Sequence, residues 1–191
     1  MTALALNLDP ITHLTHEQFW ELCQANPELK LERTAQGELL VMPPTGWESG
    51  KRNSNLNVDL GLWNRKAGLG VVFDSSTGFI LPSGAVRSPD AAWVASERLT
   101  ALNPDPDGFL PLAPDFVIEL RSASDRLKPL QDKMQEYMDN GVRLGWLLNP
   151  KDREVEIYRH GNEIEVLRSP VSLSGEDVLP EFTLDLKNIF D

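Results

Sequence analysis

Cysteine is nearly absent. Cys23 stands alone, which excludes an intramolecular disulfide and any metal site built on cysteines. Histidine is almost as scarce, and His13, His16 and His160 lie at spacings that disfavour a zinc site made of histidine pairs. No apolar run approaches the roughly 18 residues of a membrane span. The opening MTALALNLDP lacks the basic start and long apolar stretch of a secretory signal. Repeats and low-complexity stretches are missing as well. Together these absences predict a cytoplasmic, reduced, soluble protein with no membrane partner. Positive charge is also short: 18 bases stand against 29 acids, for a net charge of −11. Such a balance argues against a general nucleic-acid binder, which usually carries a basic excess. The shortfall lies mostly in the flanks, because residues 48–143 carry 13 acids and 11 bases, only −2 of the total. A divalent cation held by a few of those carboxylates would leave the middle close to neutral, and solubility accounts for the acidic flanks.

What is present suffices for a real core. Over 191 residues the chain is 41% hydrophobic and 25% charged, which predicts one domain, 1–191, with residues 1–14 as an N-terminal arm. Thr15-His16-Glu17-Gln18 has capping-box form and predicts a short helix to about Ala25. LKLERTAQGELLVM (29–42) alternates around Gln36-Gly37 and reads as a hairpin, broken by Pro43-Pro44-Thr45-Gly46. A longer helix from about Glu48 to Lys66 is predicted by the stripe Leu56, Leu60, Trp63 and Ala67, closed by Gly68 and Gly70.

Short strands follow over 70–73, 77–82 and 85–95, the last two joined by Ser83-Gly84, and proline-rich loop chemistry dominates 102–114. DFVIEL (115–120) is a compact strand. Ser122–Asp125 reads as a turn, and a helix with Leu127, Leu130, Met134 and Tyr137 on one face ends at Asn140-Gly141. A buried strand over 142–150 and a hairpin of 154–159 with 163–168 come next. The last 20 residues read as a covering segment anchored by Phe182, Leu184, Leu186, Ile189 and Phe190. The class predicted is mixed α/β.

Two acids sit where acids are costly. Asp90 lies directly before an apolar strand, and Glu119 ends one. Buried carboxylates need compensation, and a divalent cation is a common form of it. Side by side, the two strands would make an oxygen-ligand site suited to Mg²⁺. Each acid also has a plain alternative: Asp90 ends the turn after Ser88-Pro89, and Glu119 caps the following loop or pairs with Arg121. Lys133 borders the core-facing stripe of its helix. Either it snorkels, or its ammonium is aimed at the carboxylates of the preceding strand. Arg121 is the rival cation. Glu48, at the start of the long helix, reads from spacing alone as an acid complementing the helix dipole.

Pro89-Asp90 followed by Glu119-Leu120-Arg121 resembles the PD…(D/E)-x-K pattern of restriction-endonuclease-like nucleases. The longer series MPPTGWESGKRNSNLNVDLGLW, VVFDSSTGFILP, RSPDAAWV, DFVIELRSASDRL, LQDKMQEYMDNGVRLGWLLNP and EVEIYR resembles the Uma-two type family within that superfamily, over roughly residues 15–186. The resemblance implies a restriction-endonuclease-like core, a mixed central sheet flanked by helices, with an N-terminal helix and hairpin. It implies a Mg²⁺-dependent DNA endonuclease in which Mn²⁺ can substitute, with Asp90 and Glu119 as metal-binding acids. A backbone carbonyl near Leu120 would be a further ligand, and Glu48 would match the acid of the first core helix. Arg121 occupies the position of the pattern's lysine, and arginine is too strong a base to take over that lysine's protonation chemistry. Lys133 matches a lysine carried on the following helix. Arg121, Arg126 and Lys128 would contact the DNA backbone, and homodimerisation suits this fold class. The alternative is a nuclease fold that has lost cleavage and acts in binding or assembly.

Overall fold

The computed structural model describes residues 3–9 and 11–191, so residues 1, 2 and 10 of the expected arm lie outside the described residues. The rest of the arm contributes a strand, β1 (Leu4–Leu6), and the first helix follows as α1 (His16–Ala25). Its capping box closes in both directions between Thr15 and Gln18, and Phe19 is its buried anchor. The hairpin is β2 (Lys30–Arg33) with β3 (Leu39–Met42), its turn closed by Gly37 at a left-handed φ of 88°. Next comes α2 (Trp47–Ala67), one residue longer at each end than the spacing predicts. It buries Leu56 and Leu60 and stops at left-handed Gly68. After it run β4 (Gly70–Asp74), β5 (Phe79–Ile80), β6 (Val86–Arg87) and β7 (Ala91–Ala95).

Here one expectation is corrected: residues 85–95 are two strands in two sheets. β6 belongs to a five-stranded sheet of order β1-β3-β2-β6-β5, whereas β7 belongs to the main six-stranded sheet. The ladder breaks because Pro89 has no N–H to donate and Ser88 gives its own to the side chain of Glu32. The chain therefore crosses between sheets at Ser88-Pro89-Asp90. A short helix, α3 (Ser96–Leu102), fills a stretch that the spacing left unassigned. The remaining elements are β8 (Phe116–Leu120), α4 (Leu127–Asp139), β9 (Leu144–Asn149), β10 (Glu154–Arg159), β11 (Glu165–Arg168), β12 (Ser172–Ser174), β13 (Thr183–Asp185) and α5 (Lys187–Phe190).

The main sheet has the order β11-β10-β9-β8-β7-β4 and is mixed, with β8 and β9 parallel and the other neighbours antiparallel. Both of its faces are covered, which explains why its central strands read as continuous apolar runs. One face packs Ala91, Trp93, Phe116, Ile118 and Leu120 against α2 and the C-terminal segment, where Phe182, Leu184, Leu186, Ile189 and Phe190 are all buried as expected. The other packs Ala92, Val94 and Val117 against Met134, Tyr137 and Met138 of α4. Alternation along β8 puts Glu119 on the α4 side with Val117, and the same alternation puts Asp90 there with Ala92.

Candidate active site

The register of the central strands brings the two acids together. Ala91 pairs with Ile118 across the antiparallel β7–β8 ladder, so one further step sets Asp90 opposite Glu119. Opposed side chains in such a ladder stand about 5 Å apart at Cβ, and like charges there repel. Asp90 is fixed from two sides: its Oδ2 accepts the Leu120 N–H at 2.8 Å, and its backbone carbonyl accepts from Asn57 of α2 at 3.1 Å.

Lys133 completes the group. It is 8% exposed, far below a solvated lysine, and its Nζ lies 2.7 Å from Glu119 Oε1. Of the two readings of this residue, the one aiming its ammonium at the preceding strand describes its position. Tyr137, one turn further along α4, donates its O–H to the same Oε1 at 3.0 Å. Lys133 also touches a residue the sequence reading missed: Glu32 of β2, 1% exposed, with Oε1 at 2.8 Å from Nζ. The same Oε1 accepts the Ser88 N–H at 3.0 Å, while Oε2 accepts from Arg87 at 3.1 Å, and Arg87 in turn pairs with Glu136. In LKLER the alternation puts Glu32 with Lys30 on the polar side of a hairpin. Only the docking of that side against α4 turns it into a buried charge.

The electrostatics follow from this packing. Burial raises the Glu119 carboxyl from 4.5 to about 7, and Asp90 and Glu32 add to the rise while Lys133 opposes it. Burial also raises Asp90, partly offset by Lys30 and the Leu120 N–H. Glu32 goes the other way: against its burial, Lys133 and Arg87 hold it at about 2. Burial disfavours the Lys133 ammonium, but Glu119 and Glu32 outweigh it and raise its pKa. The site thus sets an ionised Glu32 carboxylate and the Lys133 ammonium beside two facing carboxyls, Asp90 and Glu119, whose burial makes their negative charge costly.

These groups line a cleft of about 1420 Å³ whose walls include Lys30, Glu48, Asn53, Ser122 and Arg126. Glu48 sits on its rim in the first turn of α2, 55% exposed, and pairs with Arg52 at 3.0 Å; no contact joins it to Asp90 or Glu119. Arg126 is an exposed wall residue with no ion pair among the described residues. Arg121 and Lys128 do not line the cleft. Arg121 is held by Asp152 at 2.9 Å and Asn149 at 3.2 Å, past the end of β8, and Lys128 pairs with Asp132 at 2.6 Å. Trp47, at the start of α2, is 82% exposed on the cleft wall.

The donor set fits a hard divalent cation. No described cluster of three or more His, Cys, Asp or Glu side chains forms a cage, but Mg²⁺ takes one or two carboxylates and completes its shell with water and substrate phosphate. Glu119 Oε1 is occupied by Lys133 and Tyr137, and Asp90 Oδ2 by a backbone N–H. Among the described residues no hydrogen bond reaches the second oxygen of either carboxyl, so one oxygen on each is unengaged.

Among the described residues no helix is long and apolar enough to cross a membrane. None of the curated proteins compared with the chain matches it. A crystal structure described as "a putative nuclease belonging to DUF820" from Anabaena variabilis superimposes with a TM-score of 0.77 at 19% identity, covering 93% of this chain and 97% of that one. That likeness establishes the fold, a mixed α/β core shared with that protein. The profile of the Uma2 family, described as "Putative restriction endonuclease", matches residues 16–187, and the chain belongs to that family.

Proposed function

We propose that the chain is a Mg²⁺-dependent endonuclease that hydrolyses DNA phosphodiester bonds in the cleft. The observation that carries this reading is Asp90 opposite Glu119 with the Lys133 ammonium 2.7 Å from the latter. Asp90 and Glu119 would hold the cation through their free oxygens, with the Leu120 carbonyl as a further ligand and Mn²⁺ able to substitute. When bound, the ion supplies charge neutralisation on the phosphate and activation of water. Lys133, kept protonated by two carboxylates, stabilises negative charge that develops on the phosphate oxygens. Tyr137 holds Glu119 in one orientation. Arg126 offers a backbone contact on the wall, and the exposed Trp47 indole offers a face on which a base can stack, which tolerates any sequence. Glu48 stands on the rim, where it can act on substrate only from the edge. Each of these side chains belongs to the one chain.

A second reading is a binding or assembly module without cleavage. Arg121 favours it, because the residue at the pattern's lysine position is tied to Asp152 and faces away from the cleft.

Calorimetric titration with Mn²⁺ tests the proposal, comparing wild type with Asp90→Asn and Glu119→Gln. Saturable binding lost in both variants, with Mn²⁺-dependent nicking of a plasmid that Lys133→Met abolishes, is the expected result. Equal weak isotherms in all three proteins would refute the metal site. Metal binding with no cleavage of any DNA form would leave the binding module as the function.

A further inference from the structure

The strongest unexplained feature is Glu32. It lies on a strand of the other sheet, separated from Lys133 by 101 residues of chain, yet is almost wholly buried beside the carboxylates of the cleft. Its three contacts use both oxygens: Lys133 and the Ser88 N–H on Oε1 and Arg87 on Oε2, with Arg87 bound onward to Glu136. Buried ion chains of this kind are a weak source of stability, and apolar residues of similar volume generally serve a fold as well or better.

The geometry suggests another use. Lys133 stands at nearly equal distances from two carboxylates, 2.7 Å from Glu119 and 2.8 Å from Glu32. Were Glu119 its sole partner, the ammonium and an incoming divalent cation would compete for the same carboxylate. A cation on the second oxygen of Glu119 would draw that carboxylate's charge away from Lys133 and leave a buried ammonium poorly compensated, which is strongly unfavourable. Glu32 removes that conflict. It stays ionised well below neutral pH, because Lys133 and Arg87 overcome its burial, and it is held in place by the N–H of Ser88, two residues before Asp90. The backbone segment that delivers one carboxylate to the cleft therefore also fixes the residue that anchors its lysine.

We propose that Glu32 is a positioning residue: it holds the Lys133 ammonium between two carboxylates, leaving Glu119 able to take a divalent cation without losing the lysine. The proposal rests on the metal reading above and goes further, because it makes the N-terminal hairpin part of the site.

A double-mutant cycle read by Mn²⁺ calorimetry tests it, using wild type, Glu32→Gln, Lys133→Met and the double variant, each checked for folding by circular dichroism and thermal melting. Glu32→Gln should weaken Mn²⁺ binding by about tenfold or more, as loss of a partner that orients metal-binding residues commonly does. With Lys133 replaced by Met the same substitution should change affinity by no more than about twofold, the non-additivity expected when one residue acts through the other. Glu32→Asp, which keeps the charge on a shorter stem, should recover part of the loss. Where Glu32→Gln does not fold, the cycle is run with Glu32→Asp, whose smaller loss should likewise vanish in the Lys133→Met background. Equal losses with and without Lys133 would show that Glu32 acts through its own field or through the fold, and would overturn the proposal. No loss in Glu32→Gln would do the same. An absence of saturable Mn²⁺ binding in wild type would bring down the metal reading itself, and this inference with it.

Discussion

Asp90 illustrates how one side chain carries two opposed effects. As a charge opposite Glu119 it is unfavourable when no cation is present; as an acceptor for the Leu120 N–H it ties the end of β7 to β8. Asparagine keeps the acceptor and removes the charge. In chelator, Asp90→Asn should therefore melt at or above the wild-type temperature, whereas Asp90→Ala should lose about 1–3 kcal/mol by leaving that N–H unpaired. A loss in both variants would make the carboxylate itself structural. Glu119 gives the pH counterpart. Its folded carboxyl titrates near 7 against an ordinary 4.5, so the folded state binds the proton more tightly than the unfolded chain. Its contribution favours folding at low pH and is lost as pH rises from about 4.5 to about 7, by up to about 3 kcal/mol. Urea melts of the metal-free protein across pH 4–8 should show that slope, and Glu119→Gln should flatten it. Glu32 works in the opposite sense: with its pKa at about 2, its contribution is present above pH 4.5 and fades only as pH falls toward 2.

At the scale of elements, the site depends on how closely strands and helices approach. Gly70 of β4 pairs with Ala95 at the far end of β7, and a Cβ there would lie 2.3 Å from the Val94 carbonyl and 2.4 Å from the Trp93 ring. Neither neighbour can yield easily, one being backbone and the other a buried indole. Gly70→Ala should cost about 1–3 kcal/mol, the usual penalty of overpacking, measurable as a lower urea midpoint with the slope unchanged. An unaffected midpoint would mean that β4 shifts freely at the sheet edge. Gly145 of β9 has the same kind of role toward α4, where a Cβ would meet Met134 Cε at 2.5 Å. That contact is with the tip of a flexible side chain, so Gly145→Ala should be milder. Its effect would fall on the helix that carries Lys133 and Tyr137.

For the molecule as a whole, charge sets the order of events. The net charge is −11, and the cleft wall carries ten acidic and four basic residues. A polyanion approaching this surface without cations meets repulsion. DNA binding should therefore be weak in chelator and strengthen sharply in Ca²⁺, which takes oxygen ligands. Fluorescence anisotropy of labelled single-stranded and duplex DNA, with Asp90→Asn as control, measures this. The salt dependence should be shallow, about two to three phosphate contacts' worth, because few wall cations are available. Equal affinity in chelator and Ca²⁺ would place DNA on some other surface.

Much of this was legible in the chain itself. Periodicity and turn residues located α1, the β2–β3 hairpin, α2, α4, β9 and the β10–β11 hairpin, because local sterics and one-sided burial leave repeating marks. Asp90, Glu119 and Lys133 were conspicuous one by one, since each interrupts an apolar pattern. Other facts had no local mark. Beyond the break that Pro89 marks, the division of 85–95 between two sheets depends on Glu32 of β2, 56 residues away in the chain, capturing the Ser88 N–H. Arg121, adjacent in sequence to the acids, is turned away by Asp152 and Asn149 at the end of the neighbouring strand. Glu32 itself occupies an unremarkable polar position in an alternating strand. Its burial and its hold on Lys133 arise when two distant segments pack together, and a pairing that long-range packing creates leaves no period in the sequence that makes it.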